Sequence, residues 1–405
     1  MPGPAATARE RLGGWPAAAL VGAAFSVAML GTTLPTPLYP TYAREFHFGE
    51  LTTTVVFAVY AVGVIASLVL VGHWSDQLGR RPMLLAGLGL SALSAAAFLV
   101  PGGVGWLYVG RLLSGLSAGI FTGTATATVV DLAPAGSRGR ASLVAAAVNM
   151  LGLGAGPLLA GILVQWAPAP TRLVFVVDLV LVGLAVVTVL LVREPVGRAA
   201  RPELAPRRLQ VPAEVRPIFV RAAIAGFAGF AVTGLFTSVS PAFLGDLLHR
   251  RSPALVGVVV VIAFLASVLG QLVSARLPLD RSLPGGCVLL IVGMALVASS
   301  LPTRSLLLFV AGAAVAGLGQ GATLRAGLAG ISADSPEELR GAVTSTFFVV
   351  LYVGIALPVI GEGALATAAG LVTAGVVFSV LVAVLAAVAL VLLVRGRHTP
   401  VIPGA

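Results

Sequence analysis

Twelve apolar segments, each long enough to cross a lipid bilayer as a helix, constrain this chain more than any other feature. About 20 helical residues span the hydrocarbon layer. The runs are continuous and do not alternate between apolar and polar residues, which disfavours transmembrane β-strands. Helices satisfy every backbone donor and acceptor within the segment, as lipid requires. The predicted spans are 16–38, 51–73, 82–101, 104–130, 141–166, 172–192, 217–240, 254–275, 284–301, 304–331, 341–361 and 364–394.

Composition excludes a water-soluble globule and supports an all-α integral membrane protein. Of the 405 residues, 58% are hydrophobic and only 10% are charged, which is too little polar surface for a soluble protein of this size. The single cysteine, Cys287, excludes an intrachain disulfide. The sequence contains no lysine, so a phosphate-binding loop of the Gly-x-x-x-x-Gly-Lys type is excluded, and with it ATP-driven transport by this chain.

The arginines indicate how the chain crosses the membrane. All 25 basic residues are arginine. Eighteen lie in the segments that share a side with both termini, five lie in the opposite loops, and Arg111 and Arg325 lie within spans. Basic residues concentrate on the cytoplasmic side of membrane proteins. We therefore predict a multi-pass protein of the inner (cytoplasmic) membrane with both termini in the cytoplasm, and the net charge of +10 then requires no nucleic-acid partner.

An internal repeat divides the chain into two halves. At an offset of 202 residues, Gly115–Gly119 matches Gly317–Gly321 in three of five residues. An even number of spans in each half makes the repeat parallel, with its axis along the membrane normal and a binding site expected between the halves. The segment 193–216 holds six Arg, three Glu and four Pro, which is typical of a polar linker. We predict six-helix bundles at 1–192 and 217–405, joined by this cytoplasmic linker.

The loop between the second and third spans carries a recognisable pattern of glycines and charges. It contains Gly72, Asp76, Gly79, Arg80 and Arg81. The loop resembles the signature loop between helices 2 and 3 of the major facilitator superfamily of transporters. The resemblance implies twelve transmembrane helices in two pseudo-symmetric six-helix bundles, and alternating access as the mode of action.

In that family the loop has a gating role, which the resemblance transfers to this chain. Its aspartate, here Asp76, is held against the start of helix 11 near Arg340, and its arginine pairs with an acid at the end of helix 4, here Asp131. The sequence departs from the family pattern at Trp74 and Gln77. The alternative is that the loop arginines only determine topology.

Arg111 lies deep within the fourth span, in a segment similar to the family's second motif. An arginine at a helix centre costs about 2.5–3.5 kcal/mol to insert and needs a partner or a water-filled cavity. Gly115, Ala118 and Thr122 share its helix face and leave room beside it. The equivalent residue of the second half is Ala313, so the charge is not part of the repeated architecture. We predict a role in substrate anion binding or proton coupling, against the alternative of a structural pairing with a carbonyl or carboxylate.

The fifth span contains Gly152, Gly156, Pro157 and Gly161, a pattern similar to the Gly-Pro motif of exporting antiporters in this superfamily. Small residues spaced by four allow a neighbouring helix to approach closely, and a proline removes one backbone hydrogen bond. The resemblance implies export by antiport.

Proton coupling needs a group that changes protonation inside the cavity. Asp178 is the one acid that the predicted spans place clearly within a helix, at a depth similar to that of Arg111. Asp178 is the candidate proton site, and a helix-end or lipid-interface role is the alternative that stays open. Glu45 and Glu362 are predicted near the outer face. The predicted substrate cavity is lined by polar residues at the middle of inner helices, namely Thr33, Tyr60, Asn149, Thr233, Thr237, Gln320 and Tyr352.

The function predicted from these features is proton-coupled efflux of a small organic compound by a secondary active transporter. The predicted partners are a small-molecule substrate, protons and the lipid bilayer, with the chain acting as a monomer. No cofactor, metal site or enzymatic group is expected. An importer of a small metabolite on the same fold is the alternative, favoured by the lack of an acid in the first span, and a non-transporting membrane sensor or a membrane-embedded enzyme is a more distant one.

Overall fold

The computed structural model describes residues 13–395 except positions 101, 198, 200, 203, 204, 207, 248, 250 and 251. Within these residues the regular structure is helical, and twelve helices are long and apolar enough to cross a membrane. The prediction of an all-α protein with twelve spans is therefore confirmed. The spans are α1 (Gly14–Glu45), α2 (Glu50–Leu70), α3 (Arg80–Leu99), α4 (Val104–Leu132), α5 (Arg138–Trp166), α6 (Pro170–Leu191), α7 (Arg216–Ser238), α8 (Pro253–Ser274), α9 (Leu279–Ser300), α10 (Leu306–Asp334), α11 (Arg340–Ala369) and α12 (Leu371–Arg395).

Prolines and glycines set where several helices break or end. In α1 the regular helix Gly14–Thr33 gives way to a 3₁₀ turn at Thr36–Leu38 before the helix resumes at Tyr39–Glu45. Prolines at 35 and 37 explain the break, because they lack the N–H groups of a continuous helix. The predicted end of the eleventh span at residue 361 is wrong. The helix continues to Ala369 and ends where Gly370 adopts a φ of +85°.

The two halves pack their helices in the same pattern, as the sequence repeat predicts. In the first half α4 packs against α1, α2 and α3, while α6 packs against α1 and α3. In the second half α10 packs against α7, α8 and α9, while α12 packs against α7 and α9. Each of these pairs is related to its counterpart by a shift of six helices. The pseudo-symmetric two-bundle fold is thus visible in both the sequence and the packing.

Large apolar side chains on the outer helix faces remain exposed. Leu93, Leu184, Leu357 and Leu381 are each 58–62% exposed and come from four different helices. Such a surface would be unfavourable in water but matches the hydrocarbon of a bilayer. The chain is therefore a multi-pass membrane protein.

The halves meet through two helix pairs, α2 with α11 and α5 with α8. Because twelve helices alternate in direction, Gly14, Arg395 and the linker after Leu191 lie on one side of the membrane, here called the linker side. The opposite side is called the far side. Close contacts between the halves join Gly161 of α5 to Pro253 of α8, at their far-side ends.

Candidate functional site

A cavity of about 790 Å³ lies between the two halves. It reaches from the middle of the helices, at Thr32 and Arg111, to Asp76 and Arg340 on the linker side. The Asp76 side chain is 56% exposed, so the cavity is open at this end. All seven residues predicted to line a substrate cavity are brought together around it, namely Thr33, Tyr60, Asn149, Thr233, Thr237, Gln320 and Tyr352.

The far side of the cavity is closed by contacts between the halves. The Thr36 hydroxyl donates to the Thr237 carbonyl at 2.9 Å. At the far-side ends of α5 and α8, the Gln165 side-chain oxygen accepts from the Ser252 hydroxyl at 2.6 Å and from the Ala254 backbone N–H at 3.2 Å. A small molecule of suitable size therefore has access to the cavity from the linker side alone.

Arg111 is only 2% exposed and joins three helices of the first half at the inner end of the cavity. Its guanidinium donates to the carbonyl of Thr32 in α1 and, at 3.4 Å, to that of Phe57 in α2. Thr32 is in the last turn of the first helical segment of α1, where carbonyls lack helical donors and a cation is favoured. The guanidinium carbon also lies 5.1 Å from the Phe57 ring centre and 4.9 Å from that of Tyr60.

These contacts supply the partner that a buried arginine needs. They correspond to the carbonyl pairing that the sequence left as an alternative. One donor, the buried Nε of Arg111, has no hydrogen-bond partner among the described residues. Arg111 also lines the cavity, although its Nε atom is itself buried.

Aromatic side chains from both halves form the wall next to Arg111. The rings of Tyr60 in α2 and Tyr352 in α11 meet edge to face, with centres 6.2 Å apart, and Phe230 of α7 packs on Tyr352 at 5.8 Å. The phenols therefore offer a bound molecule flat apolar surfaces with polar edges.

Several of the predicted cavity residues direct their polar atoms to the protein itself. Thr33 donates to the Leu153 carbonyl of α5 at 2.8 Å, and Thr237 donates to the Thr233 carbonyl at 2.7 Å. The side-chain oxygen of Gln320 accepts from Ser267 of α8. In contrast, the buried side-chain oxygen of Asn149 has no hydrogen-bond partner among the described residues. Asn149 lines the cavity, and this oxygen is itself buried.

Arg80 holds the linker-side end of the first half together. Its guanidinium pairs with Asp131 at 3.0 Å and with Asp76 at 2.5 Å, and donates to the Ser75 hydroxyl at 2.8 Å. The predicted pairing of a loop arginine with Asp131 is therefore present, and Arg80 is the arginine that makes it. Arg81 and Gly79 do not line the cavity, whereas Gly72, Asp76, Arg80 and Asp131 do.

The linker contributes a residue that the sequence did not single out. Glu194 accepts hydrogen bonds from the backbone N–H groups of Arg80 at 2.8 Å and Arg81 at 2.9 Å. A carboxylate at a helix N-terminus satisfies free donors and interacts favourably with the helix dipole. Gly79 has a φ of +100°, and a Cβ there would lie 2.9 Å from a Glu194 oxygen. The second glycine of the loop therefore makes room for this cap.

Asp76 does not contact the start of α11 in this conformation. It pairs with Arg80, while Arg340 and Gly341 form the opposite wall of the open cavity. The predicted contact requires the linker side to close, so its test lies in the other state of the protein.

The glycines of α5 allow two different helices, α1 and α8, to pack closely against it. A Cβ at Gly156 would clash with Leu30 and Thr33 of α1, and one at Gly152 would clash with Ser26 of the same helix. A Cβ at Gly161 would clash with α8 of the other half, and Gly257 of α8 is packed as closely against the Pro157 carbonyl. The motif thus combines packing within the first half and packing across the halves.

Asp178 lies outside the cavity lining. It is 2% exposed, and its carboxylate faces Gly31 of α1, where a Cβ would meet the two oxygens at 3.0 and 3.1 Å. Gly31 precedes Thr32, the partner of Arg111, so the two charges lie at the same depth. Arg111 contacts α1 at the Thr32 carbonyl, whereas Asp178 contacts it at Gly31. One Asp178 oxygen has no hydrogen-bond partner among the described residues.

The expectation that Asp178 is the one acid within a span is wrong. Glu362 lies inside α11 because that helix extends to Ala369, and its side chain is only 3% exposed.

Several residues that line the cavity were not predicted from the sequence, because hydropathy does not show which face of a helix lines a cavity. These cavity-lining residues are Phe57, Thr122, Phe230, Phe264, Gln271, Arg325 and Arg340. For Arg325 the signal was present, as a charge within a span.

Comparison with known proteins places the chain in a family. Residues 21–357 match the Major Facilitator Superfamily model. The chain is 32% identical to Multidrug resistance protein 2 of Bacillus subtilis (strain 168) over 139 residues, which cover 33% of this chain and 35% of that protein. It is 34% identical to the class E Tetracycline resistance protein of Escherichia coli over 137 residues, 33% of each chain. The chain thus spans about a third of the length of these curated relatives.

Solved structures share the fold over nearly the whole chain. A bacterial homolog of the human lysosomal transporter Spinster, in an inward-facing and unoccupied conformation, has a TM-score of 0.75 at 18% identity and covers 95% of this chain and 98% of its own. A POT family transporter in complex with 5-aminolevulinic acid has a TM-score of 0.76 at 14% identity, with 94% and 96% covered. The solved structures thus share the fold, and the family-model match over residues 21–357 shows that the chain belongs to the Major Facilitator Superfamily.

Proposed function

We propose that this protein exports small amphiphilic organic compounds from the cytoplasm in exchange for protons. The observation that carries the proposal is the cavity of about 790 Å³ between the halves, open on the linker side and closed on the far side. The arginine distribution supports a cytoplasmic position for the linker side. Substrate then enters from the cytoplasm, and rocking of the halves releases it on the far side.

The cavity lining supports a substrate with an aromatic or apolar body and a few polar groups. Tyr60, Tyr352 and Phe230 supply apolar surface, while the side chains of Asn149 and Arg111 add polar groups to the cavity wall. Both acids of the cavity lining, Asp76 and Asp131, pair with Arg80. The central charge that remains is positive, which favours neutral, weakly acidic or zwitterionic compounds.

Sequence relatives support export over import. The matched relatives are named as multidrug and tetracycline resistance proteins. The Gly-Pro pattern of α5 is similar to that of exporting antiporters. The loop Gly72–Arg81 would act as the linker-side gate, with Asp76 meeting the start of α11 when the cavity faces outward.

Transport by the purified chain in proteoliposomes tests the proposal. A panel of neutral, cationic, weakly acidic and zwitterionic aromatic compounds would be offered with and without an imposed pH gradient. We expect a weakly acidic or zwitterionic compound to move against its gradient only when the pH gradient is present, with protons moving in the opposite direction. Movement of a compound together with protons would support the importer instead, and no movement of any compound under either condition would contradict the exchange.

A further inference from the structure

Glu362 is a buried carboxyl group at the closed far-side contact between the halves. Its side chain is 3% exposed, and neither of its oxygens has a hydrogen-bond partner among the described residues. It does not line the cavity, so the substrate site does not account for it. An ionised carboxylate without partners is strongly disfavoured in such a place, whereas a protonated one is tolerated.

Glu362 faces the first half across the interface. The next residue of α11, Gly363, is packed so tightly on Thr54 of α2 that a Cβ would clash with the threonine side chain. Thr54 lies one helical turn after Glu50, which begins α2. Glu50 therefore lies about one helical turn closer to the far side than Glu362, on the opposite half, and its carboxyl group has the same sign of charge as Glu362 when both are ionised.

The other described charges at this level do not neutralise the pair. Asp246, in the segment Phe243–Leu247 after α7, acts on Glu50 with the same sign. The far-side ends of α1 and α10 carry exposed charges only, at Arg44, Glu45 and Arg304. The described charges of α7 and α12 lie near the linker side, and Arg250 and Arg251 lie outside the described residues.

We propose that Glu362 is a proton-binding site of the far-side gate, and that the closed gate holds this carboxyl group in its protonated form. The proton binds from the far side while the gate is open, forming an O–H bond on one carboxylate oxygen. Closure then buries a neutral side chain. At high pH the ionised group repels Glu50 and favours water, so the gate opens. The inference rests on the proposed alternating access of the halves, but it does not require that this proton crosses the membrane.

Spin-label distances across the far side test the proposal without any substrate. Labels would be placed at Trp166→Cys, which is 68% exposed at the end of α5, and at Ala368→Cys in the last turn of α11. The background carries Cys287→Ser, and the full chain is studied in lipid nanodiscs. We expect the ratio of open to closed populations to rise with pH, by up to about tenfold for each pH unit, since one proton is released.

Variants distinguish Glu362 from its surroundings. Glu362→Gln is expected to keep the short distance at every pH, and Glu362→Asp to retain the pH response. Glu50→Gln is expected to reduce the response, because the repulsion is removed. Glu45→Gln, at an exposed acid of the same side, is the matched control and should respond like the parent protein.

The outcomes separate this inference from the proposed function. A distance distribution of the parent that does not change with pH would overturn the inference, and so would a response of Glu362→Gln equal to that of the parent. If Glu362→Gln does not fold, an unchanged response of Glu50→Gln overturns it instead. A pH response lost in Glu362→Gln, found in a protein without proton-coupled transport, would support the gate and contradict only the exchange.

Discussion

At the scale of single residues, Arg111 shows how one charge is accommodated inside a membrane domain. Its contacts run to two backbone carbonyls on different helices and to two aromatic rings, so the planar, forked guanidinium suits the site better than a point charge would. The break in α1 after Thr33 makes one of these carbonyls available. Packing and the proposed substrate binding therefore involve the same side chain.

Replacing Arg111 with lysine separates its charge from its geometry. Lysine keeps the positive charge but cannot reach both the Thr32 and Phe57 carbonyls, which leaves a buried acceptor unpaired at a cost of about 1–3 kcal/mol. We expect Arg111→Lys to lower the melting temperature of the purified protein and to reduce transport of all substrates. Arg325→Lys, the same change at a cavity-lining arginine of α10, is the control and should keep the melting temperature. Equal stability of the two variants would contradict the carbonyl-bridging role.

Glu194 carries a second prediction at this scale. Glu194→Ala removes the acceptor for two backbone N–H groups at the start of α3, and loss of a helix cap costs about 0.5–2 kcal/mol. We expect a lower melting temperature and weaker positioning of the neighbouring Arg80. Glu214→Ala, at an exposed glutamate of the same linker, is the control. The capping role is refuted if both alanine variants melt at the temperature of the parent protein.

At the scale of helices, α5 combines two kinds of close packing that substitution can separate. Gly161 and Gly257 lie at the α5–α8 contact between the halves, whereas Gly156 packs on α1 within the first half. Gly161→Val is expected to prevent closure of the far side and to abolish transport with little change in melting temperature. Gly156→Val is expected to destabilise the first half itself.

The measurements are thermal unfolding and labelling of far-side cysteines in each variant. Gly183→Val in α6, where a Cβ would meet no atom within 4 Å, serves as the control for adding bulk to a span. If far-side cysteines are labelled to the same extent in Gly161→Val as in the parent protein, the proposed role of Gly161 in far-side closure is contradicted.

Helix positions could be predicted from the sequence because each apolar run must satisfy the hydrogen bonds of its own backbone. The end of α11 at Gly370 shows that hydropathy does not locate every helix end. Hydropathy alone ended α11 at residue 361, whereas the helix continues through Glu362 to a glycine with positive φ. Contacts between distant residues could not be predicted. Neither the pairing of Glu194 with Arg80 nor the Thr32 carbonyl beside Arg111 leaves a local pattern in the sequence.

The candidate site residues could likewise be predicted only in part. The seven predicted cavity residues surround one cavity, because polar side chains in lipid-spanning helices are placed away from lipid. Asp178 met the same criterion but faces Gly31 of α1. Polarity and depth therefore predict that a side chain is buried. Whether that side chain faces the cavity or another helix depends on packing, which cannot be predicted from a single sequence.

At the scale of the whole molecule, alternating access requires contacts that form on one side as those on the other side break. The far side is closed by α5 with α8 and by α2 with α11, while Asp76 and Arg340 stand apart across the open cavity. When the halves rock, we expect Asp76 to leave Arg80 partly free and to meet the start of α11. A carboxylate there interacts favourably with the free N–H groups of the helix.

Asp76→Asn tests this exchange of contacts. The amide cannot supply the negative charge, so the outward-facing state should lose about 1–2 kcal/mol, which changes its population roughly 5–30-fold. We expect transport to fall by a similar factor while expression and the melting temperature stay close to those of the parent protein. Asp280→Asn, the matched change at an exposed acid in the first turn of α9, lies in the corresponding loop of the second half. Because that loop lacks the spacing of Gly72–Arg81, its variant should transport normally, and equal transport by both variants would reduce the first-half loop to a topology signal.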